Sequence, residues 1–185
     1  MSAPLDPRPG DDPRLALLRA RVRDIPDFPK PGILFRDLTP LMGDGAALRE
    51  TVALLVERLG PHRPEVILAV ESRGFIFGAP VAAALGIGFV PVRKPGKLPF
   101  RIARRSYALE YGTDTLEMHA DAVVAGARVA IVDDLLATGG TAQATAELVR
   151  ELGAQVAAAA FVVELGLLKG RERLGDARVE SLIVY

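Results

Sequence analysis

The chain has 185 residues, half of them apolar, with 23 basic and 23 acidic side chains. That length suits one well-buried core and is short for two, while the even charge balance gives no global footprint for nucleic acid. The absence of cysteine excludes disulfides, thiolate zinc sites and a cysteine nucleophile, and no apolar run reaches the length of a membrane span.

Residues 1–13 carry Asp and Pro without an apolar stretch, so they read as a disordered lead-in and not as a signal peptide. A single cytoplasmic domain is expected over 14–185. A short helix is predicted over 15–22. Residues 24–37 read as loop, because Pro26, Pro29 and Pro31 oppose regular structure. Leu48, Val52, Leu55, Val56 and Leu59 have helical spacing, which predicts a helix over 46–59 ended by Gly60 and Pro61. A buried strand over 66–70 leads through Glu71, Ser72, Arg73 and Gly74 into a small-residue helix reaching Leu85, and 87–92 is the next strand. Residues 93–118 are polar, basic and poorly periodic, a stretch too long to be idle inside a compact domain. We read it as a flap with its own small hairpin. Strands over 128–132, 156–163 and 182–185, with a helix over 141–152, complete the chain. This alternation predicts an α/β fold with a doubly wound, mostly parallel five-stranded sheet.

The most informative run is 127–142. Its apolar strand ends in two carboxylates, Asp133 and Asp134, followed by Ala137, Thr138, Gly139, Gly140 and Thr141 at the start of a helix. Two glycines let backbone N–H groups approach a ligand closely, the threonines add hydroxyl donors, and the helix start adds unpaired N–H groups with a positive dipole end. The spacing is neither a Walker A loop nor a dinucleotide fingerprint. An acidic pair before such a loop repels a bare triphosphate but suits vicinal hydroxyls as hydrogen-bond acceptors. Ribose hydroxyls on one side and a 5′-phosphate on the other describe a ribose 5-phosphate site. Gly-Gly-Thr alone is also consistent with an ordinary turn in which Thr141 caps the helix.

Arg73, beside Gly74 and a helix start at the same sheet edge, makes a second anion site or a solvated turn. Arg93, Lys94, Lys97, Arg101, Arg104 and Arg105 put six cations in thirteen residues, which reads either as a solvated face or as a loop that closes on a highly charged anion. His62 and His119 have no partner at ligand spacing and read as surface or structural residues.

The run around Asp133 resembles the phosphoribosyl pyrophosphate (PRPP) loop of type I phosphoribosyltransferases. The likeness spans about residues 22–185. The segments Pro31-Gly32-Ile33-Leu34-Phe35-Arg36-Asp37, Gly96-Lys97-Leu98-Pro99 and Leu109-Glu110-Tyr111-Gly112 resemble the adenine-specific branch, and Ser72-Arg73-Gly74-Phe75 and Leu168-Lys169-Gly170-Arg171-Glu172 add to the overall likeness. The resemblance implies transfer of ribose 5-phosphate from PRPP to N9 of adenine, giving AMP and pyrophosphate. It implies that Ala137, Thr138, Gly139, Gly140 and Thr141 cradle the 5′-phosphate and that Asp133 and Asp134 hold the ribose hydroxyls. Ser72, Arg73 and Lys97 are implied at pyrophosphate, and Leu34, Phe35 and Arg36 at adenine. Glu110 matches the acid/base residue near the purine, and Tyr111 lies in the closing hood. A cis peptide at Glu71–Ser72, a homodimer, and Mg²⁺ held mainly by PRPP oxygens and water also follow from the resemblance, with no membrane or nucleic-acid partner. Two departures stand out: Glu71 where Asp is more usual, and the basic stretch 100–105. The rival readings are the same scaffold acting on guanine, xanthine or orotate, and a non-catalytic PRPP sensor, for which the N-terminus leaves no DNA-reading domain.

Overall fold

The computed structural model describes residues 12–108 and 113–185, and the chain divides into two compact units, Met1–Thr51 and Val52–Tyr185. In the first, helix α1 (Pro13–Arg19) is capped by Asp12, which accepts the Arg14 N–H at 2.9 Å, and Pro13 takes a first-turn position where its missing donor costs nothing. Strands β1 (Arg23–Ile25) and β2 (Phe35–Asp37) pair antiparallel. This corrects the reading of 24–37 as irregular throughout. All three prolines fall in the connection, so neither strand loses a ladder donor. Within that connection the Phe28–Pro29 bond is cis, the Gly32 N–H bonds Asp27 Oδ1 at 2.7 Å, and the Phe28 and Phe35 rings meet edge to face at 5.1 Å. A short helix, α2 (Thr39–Gly43), was not signalled by periodicity because it is little more than one turn. Helix α3 (Gly45–Leu59) agrees with its prediction to one residue; Asp44 Oδ1 accepts the N–H groups of Ala46 and Ala47 at its start.

The second unit is built on five parallel strands. In chain order they are β3 (Val66–Val70), β4 (Gly88–Val92), β7 (Arg128–Leu136), β8 (Gln155–Glu164) and β9 (Arg178–Val184). Their spatial order is β4-β3-β7-β8-β9. Helix α4 (Arg73–Leu85) connects β3 to β4, and α5 (Gly140–Glu151) connects β7 to β8. Side chains alternate across a strand, and β3 shows both faces covered. Ile67 and Ala69 lie under Gly78 of α4, while Leu68 and Val70 pack in one cluster with Ala144, Leu148 and Val149 of α5. The sheet is therefore doubly wound, as expected.

Helix α1 runs three residues short of the predicted 15–22 at its end and starts two earlier, and two strands of the sheet differ from the prediction by more than one residue. Strand β7 does not stop at Val132: its ladder with β8 continues through Asp133↔Phe161 and Leu135↔Val163, so both carboxylates sit on the strand itself. Strand β9 begins at Arg178, where pairing with Ala158 already holds it. Its half-buried residues 179–181 carry too little apolar signal to be read as buried.

The flap carries the expected hairpin, β5 (Ile102–Ala108) with β6 (Thr113–His119). Its second strand is anchored, since Leu116, Glu117 and Met118 are buried. Arg105 also reaches α5, donating to Glu147 and Glu151 at 2.6 Å each.

Candidate active site

Strand order reverses between β3 and β7, and in open α/β sheets the crevice outside the carboxyl ends at such a switch point is where ligands bind. A polar cleft of about 430 Å³ lies there, lined by 70–73, Lys94 and 133–142. Its two walls are the segment after β3 and the end of β7 with the loop into α5.

The carboxylates are not equivalent. Asp134 is buried and accepts from Arg73 Nε at 2.5 Å. Asp133 is held differently: its Oδ1 accepts the Asp134 N–H at 2.9 Å. Burial, reinforced by the neighbouring Asp134 charge, pushes the Asp133 carboxyl well above the usual carboxylate range. The α4 wall stands close against it. A Cβ at Gly74 would lie 2.7 Å from Asp133 Oδ1, so any side chain there would displace that carboxylate.

The loop after β7, expected from the sequence to cradle a phosphate, forms one wall of the cleft. Gly139, at φ 82°, occupies the N-cap of α5 without a side-chain cap, so Thr141 is not the cap. The N–H groups of the first turn are left for a ligand, with the dipole of a twelve-residue helix behind them. The loop is braced from behind by Gly170. A Cβ at Gly139 would lie 2.4 Å from the Gly170 carbonyl oxygen, and a Cβ at Gly170 would lie 2.2 Å from that of Ala137. Gly170 is in turn held by Arg171, which forks onto the buried Glu164 at 2.7 and 2.6 Å.

Glu71 organises the cationic segment after β4. Its carboxylate accepts from Arg93 Nε at 2.7 Å and Lys97 Nζ at 2.6 Å. Burial alone pushes its pKa up, but bonds from Lys97, Arg93 and the Lys94 backbone outweigh that and hold it below the ordinary value. The buried Glu117 fixes the same segment, accepting the Gly96 N–H at 2.9 Å. The Glu71–Ser72 peptide is cis, as the resemblance implied.

A phosphoribosyl transferase domain model matches residues 45–183. The chain is 60% identical over 164 residues to the adenine phosphoribosyltransferase of Desulfitobacterium hafniense, covering 89% of this chain and 95% of that one. It is 58% identical over 168 residues to that of Methylococcus capsulatus, covering 91% and 98%. The solved adenine phosphoribosyltransferase of Thermoanaerobacter pseudethanolicus superposes with a TM-score of 0.90 at 51% identity, over 92% of this chain and 99% of that one. This chain belongs to the adenine phosphoribosyltransferase family. The Saccharomyces cerevisiae member, solved with an imino-altritol bisphosphate and adenine, is similar at 41% identity and a TM-score of 0.86, over 92% and 98%.

In this member of the adenine phosphoribosyltransferase family, Ser72, Arg73, Asp133, Asp134, Ala137, Thr138, Gly139, Gly140 and Thr141 converge on one cleft. Lys97 does not line it; its ammonium bonds Glu71, which does. Leu34, Phe35 and Arg36 belong to the first unit. There Leu34 is exposed, Phe35 packs on Phe28, and the Arg36 guanidinium is paired with Asp24. Glu110 and Tyr111 lie outside the described residues. The sequence reading missed the bracing role of Gly170, although its segment carried part of the resemblance, and left Lys94 undistinguished among six cations. No local signal separates the one cation that lines a cleft from five that do not. Of the histidines, His62 pairs with Glu180 at 3.0 Å, a structural contact. Among the described residues no three His, Asp or Glu side chains converge as a metal cage, and no helix is long and apolar enough to cross a membrane.

Proposed function

We propose that this chain transfers the 5-phosphoribosyl group of PRPP to N9 of adenine, yielding AMP and pyrophosphate in purine salvage. The observation that carries the reading is the pairing, across one cleft, of an acidic pair with a phosphate cradle, in a chain of this family. The N–H groups of Ala137 to Thr141 receive the 5′-phosphate, and Asp133 and Asp134 accept the ribose hydroxyls. Ser72 and Arg73 face the pyrophosphate, with Lys97 delivered from Glu71. The C1′–O bond to pyrophosphate breaks with its electron pair going to the leaving group, and the N9 lone pair forms the new bond to C1′. Developing positive charge on the ribose is favoured by the adjacent carboxylates, and negative charge on the leaving group by Arg73. Glu110 takes the purine proton, and Leu34, Phe35 and Arg36 recognise adenine; these roles rest on the resemblance. Tyr111 and the flap over 93–118 close on the bound ligands and exclude water.

The donor set at the cleft, two adjacent carboxylates with one already held by Arg73, fits a Mg²⁺ that enters as the PRPP complex and keeps substrate oxygens and water as ligands. Asp133 and Asp134 would hold its water shell, and the ion when bound would neutralise pyrophosphate charge. A homodimer in the cytoplasm completes the proposal.

Product chromatography tests it. Purified protein with Mg²⁺ and PRPP is offered adenine, guanine, hypoxanthine, xanthine and orotate separately. AMP from adenine and no nucleotide from the others is the expected result. A different nucleotide overturns the base assignment, and no product with any base overturns the enzymatic reading.

A further inference from the structure

We propose that Tyr107 and Asp114 are positioning residues that tie the cationic segment after β4 to the phosphate cradle through a single chain of polar contacts. The inference rests on the function proposed above and extends it to residues outside the cleft. Lys94, which lines the cleft, pairs its ammonium with Asp114 of β6. The other Asp114 oxygen accepts the Thr115 N–H at 2.8 Å. Tyr107 of β5 reaches Asp114 Oδ2 with its hydroxyl at 3.1 Å, and the same hydroxyl lies 3.1 Å from Thr141 Oγ1 in the cradle. Lys94, Asp114, Tyr107 and Thr141 thus form one line from one wall of the cleft to the other.

Proton counting gives the line a direction. An ionised carboxylate only accepts, so the single Tyr107 proton goes to Asp114. The Tyr107–Thr141 contact is then satisfied only if Thr141 donates to the tyrosine oxygen. In the ligand-free protein the Thr141 hydroxyl is therefore oriented by Tyr107, and the Lys94 ammonium by Asp114. Each of these cleft groups is held by the hairpin in the place from which it meets an anion, Lys94 with its remaining N–H donors and Thr141 with its backbone N–H, and keeps its hairpin partner when one arrives.

The experiment is a double-mutant cycle read in steady-state kinetics. The Tyr107 ring packs against the core cluster, so Tyr107→Phe keeps the ring and removes only the hydroxyl. Expected is a rise of about fivefold in KM for PRPP, the scale of one neutral hydrogen bond, with kcat and KM for adenine unchanged. In a Thr141→Val background the same change is expected to add nothing, because Tyr107 acts through Thr141. An unchanged KM for PRPP in Tyr107→Phe, or effects that multiply in the double variant, would overturn the inference. Asp114→Asn breaks the line at its other joint. It is expected to raise KM for PRPP alone and to add nothing in a Lys94→Met background; multiplication there also overturns the inference. Calorimetric titration of the same variants with PRPP and Mg²⁺ separates the two proposals. If wild-type protein makes no AMP, the function reading fails, while the cycle read in PRPP affinity still decides the coupling.

Discussion

Asp133 and Asp134 show at the scale of single residues how binding chemistry opposes stability. Neighbouring carboxylates on one strand, Asp134 bonded by Arg73 and Asp133 half-buried beside it, cost the folded state free energy that, in the proposed function, a ribose ligand offsets by donating hydroxyls. The Asp133 pKa is raised in the fold, so the folded protein binds a proton there more tightly than the unfolded chain does. The stability linked to that proton is lost as pH rises through the folded value. Asp133→Asn keeps the oxygen that accepts the Asp134 N–H and removes the charge. It is expected to raise the melting temperature at neutral pH by about 2–4 °C, as a gain near 1 kcal/mol does in a chain of this size. The same variant is expected to lower kcat/KM for PRPP by about 10- to 100-fold, the loss of a charge-assisted hydrogen bond. Thermal melts and initial rates on one preparation check both. At this scale the sequence was legible: the acidic pair, Arg73 and the Thr-Gly-Gly-Thr run were all visible as residue types in order. Their unequal environments were not, because burial is a property of the folded surroundings.

Among the elements, the proposed phosphate cradle is braced by a turn distant in sequence. The loop between β7 and α5 and the turn carrying Gly170 meet backbone to backbone, with no room for a Cβ on either side. Gly170→Ala is therefore expected to displace the cradle, costing about 1–3 kcal/mol by overpacking. It is also expected to weaken PRPP binding at least about tenfold, since a misplacement of this size breaks aligned N–H contacts. Calorimetry with PRPP and Mg²⁺ measures the affinity, and a thermal melt the stability. Helices α3 and α5 were readable within a residue from their periodicity. Strands β1 and β2 were not, because the three prolines between them dominate the local signal while the strands have only three residues each. Strand β9 was half-read, because its first residues are only partly buried and pairing with β8, not composition, makes them strand.

For the whole molecule, acid stability follows from carboxylates distributed over both units. Hydrogen bonds from the Thr39 side chain and backbone, then Arg23, hold Asp37 down to about 2. Glu164 lies below its ordinary value because Arg171 bonds it, against the opposing effect of burial. Groups with depressed folded pKa values contribute stability that is present above the unfolded values, 3.8 and 4.5, and is lost as pH falls through the folded ones. The chain is expected to unfold progressively below about pH 4. Arg171→Leu, which strands the buried Glu164, is expected to move that transition to higher pH, as followed by circular dichroism. An unmoved midpoint would show that Glu164 does not govern it. The sequence by itself determined the α/β class, the five-strand alternation and the kind of ligand, because periodicity, strand ends and the acidic pair before a glycine loop are local patterns written in consecutive residues. Only the tertiary structure decided that the strand order reverses between β3 and β7, which brings Arg73 onto Asp134. It alone set Gly170 behind the cradle and drew Lys94, Asp114, Tyr107 and Thr141 into one line. Those contacts join residues tens of positions apart, and their energies depend on burial and approach distances that no local pattern encodes.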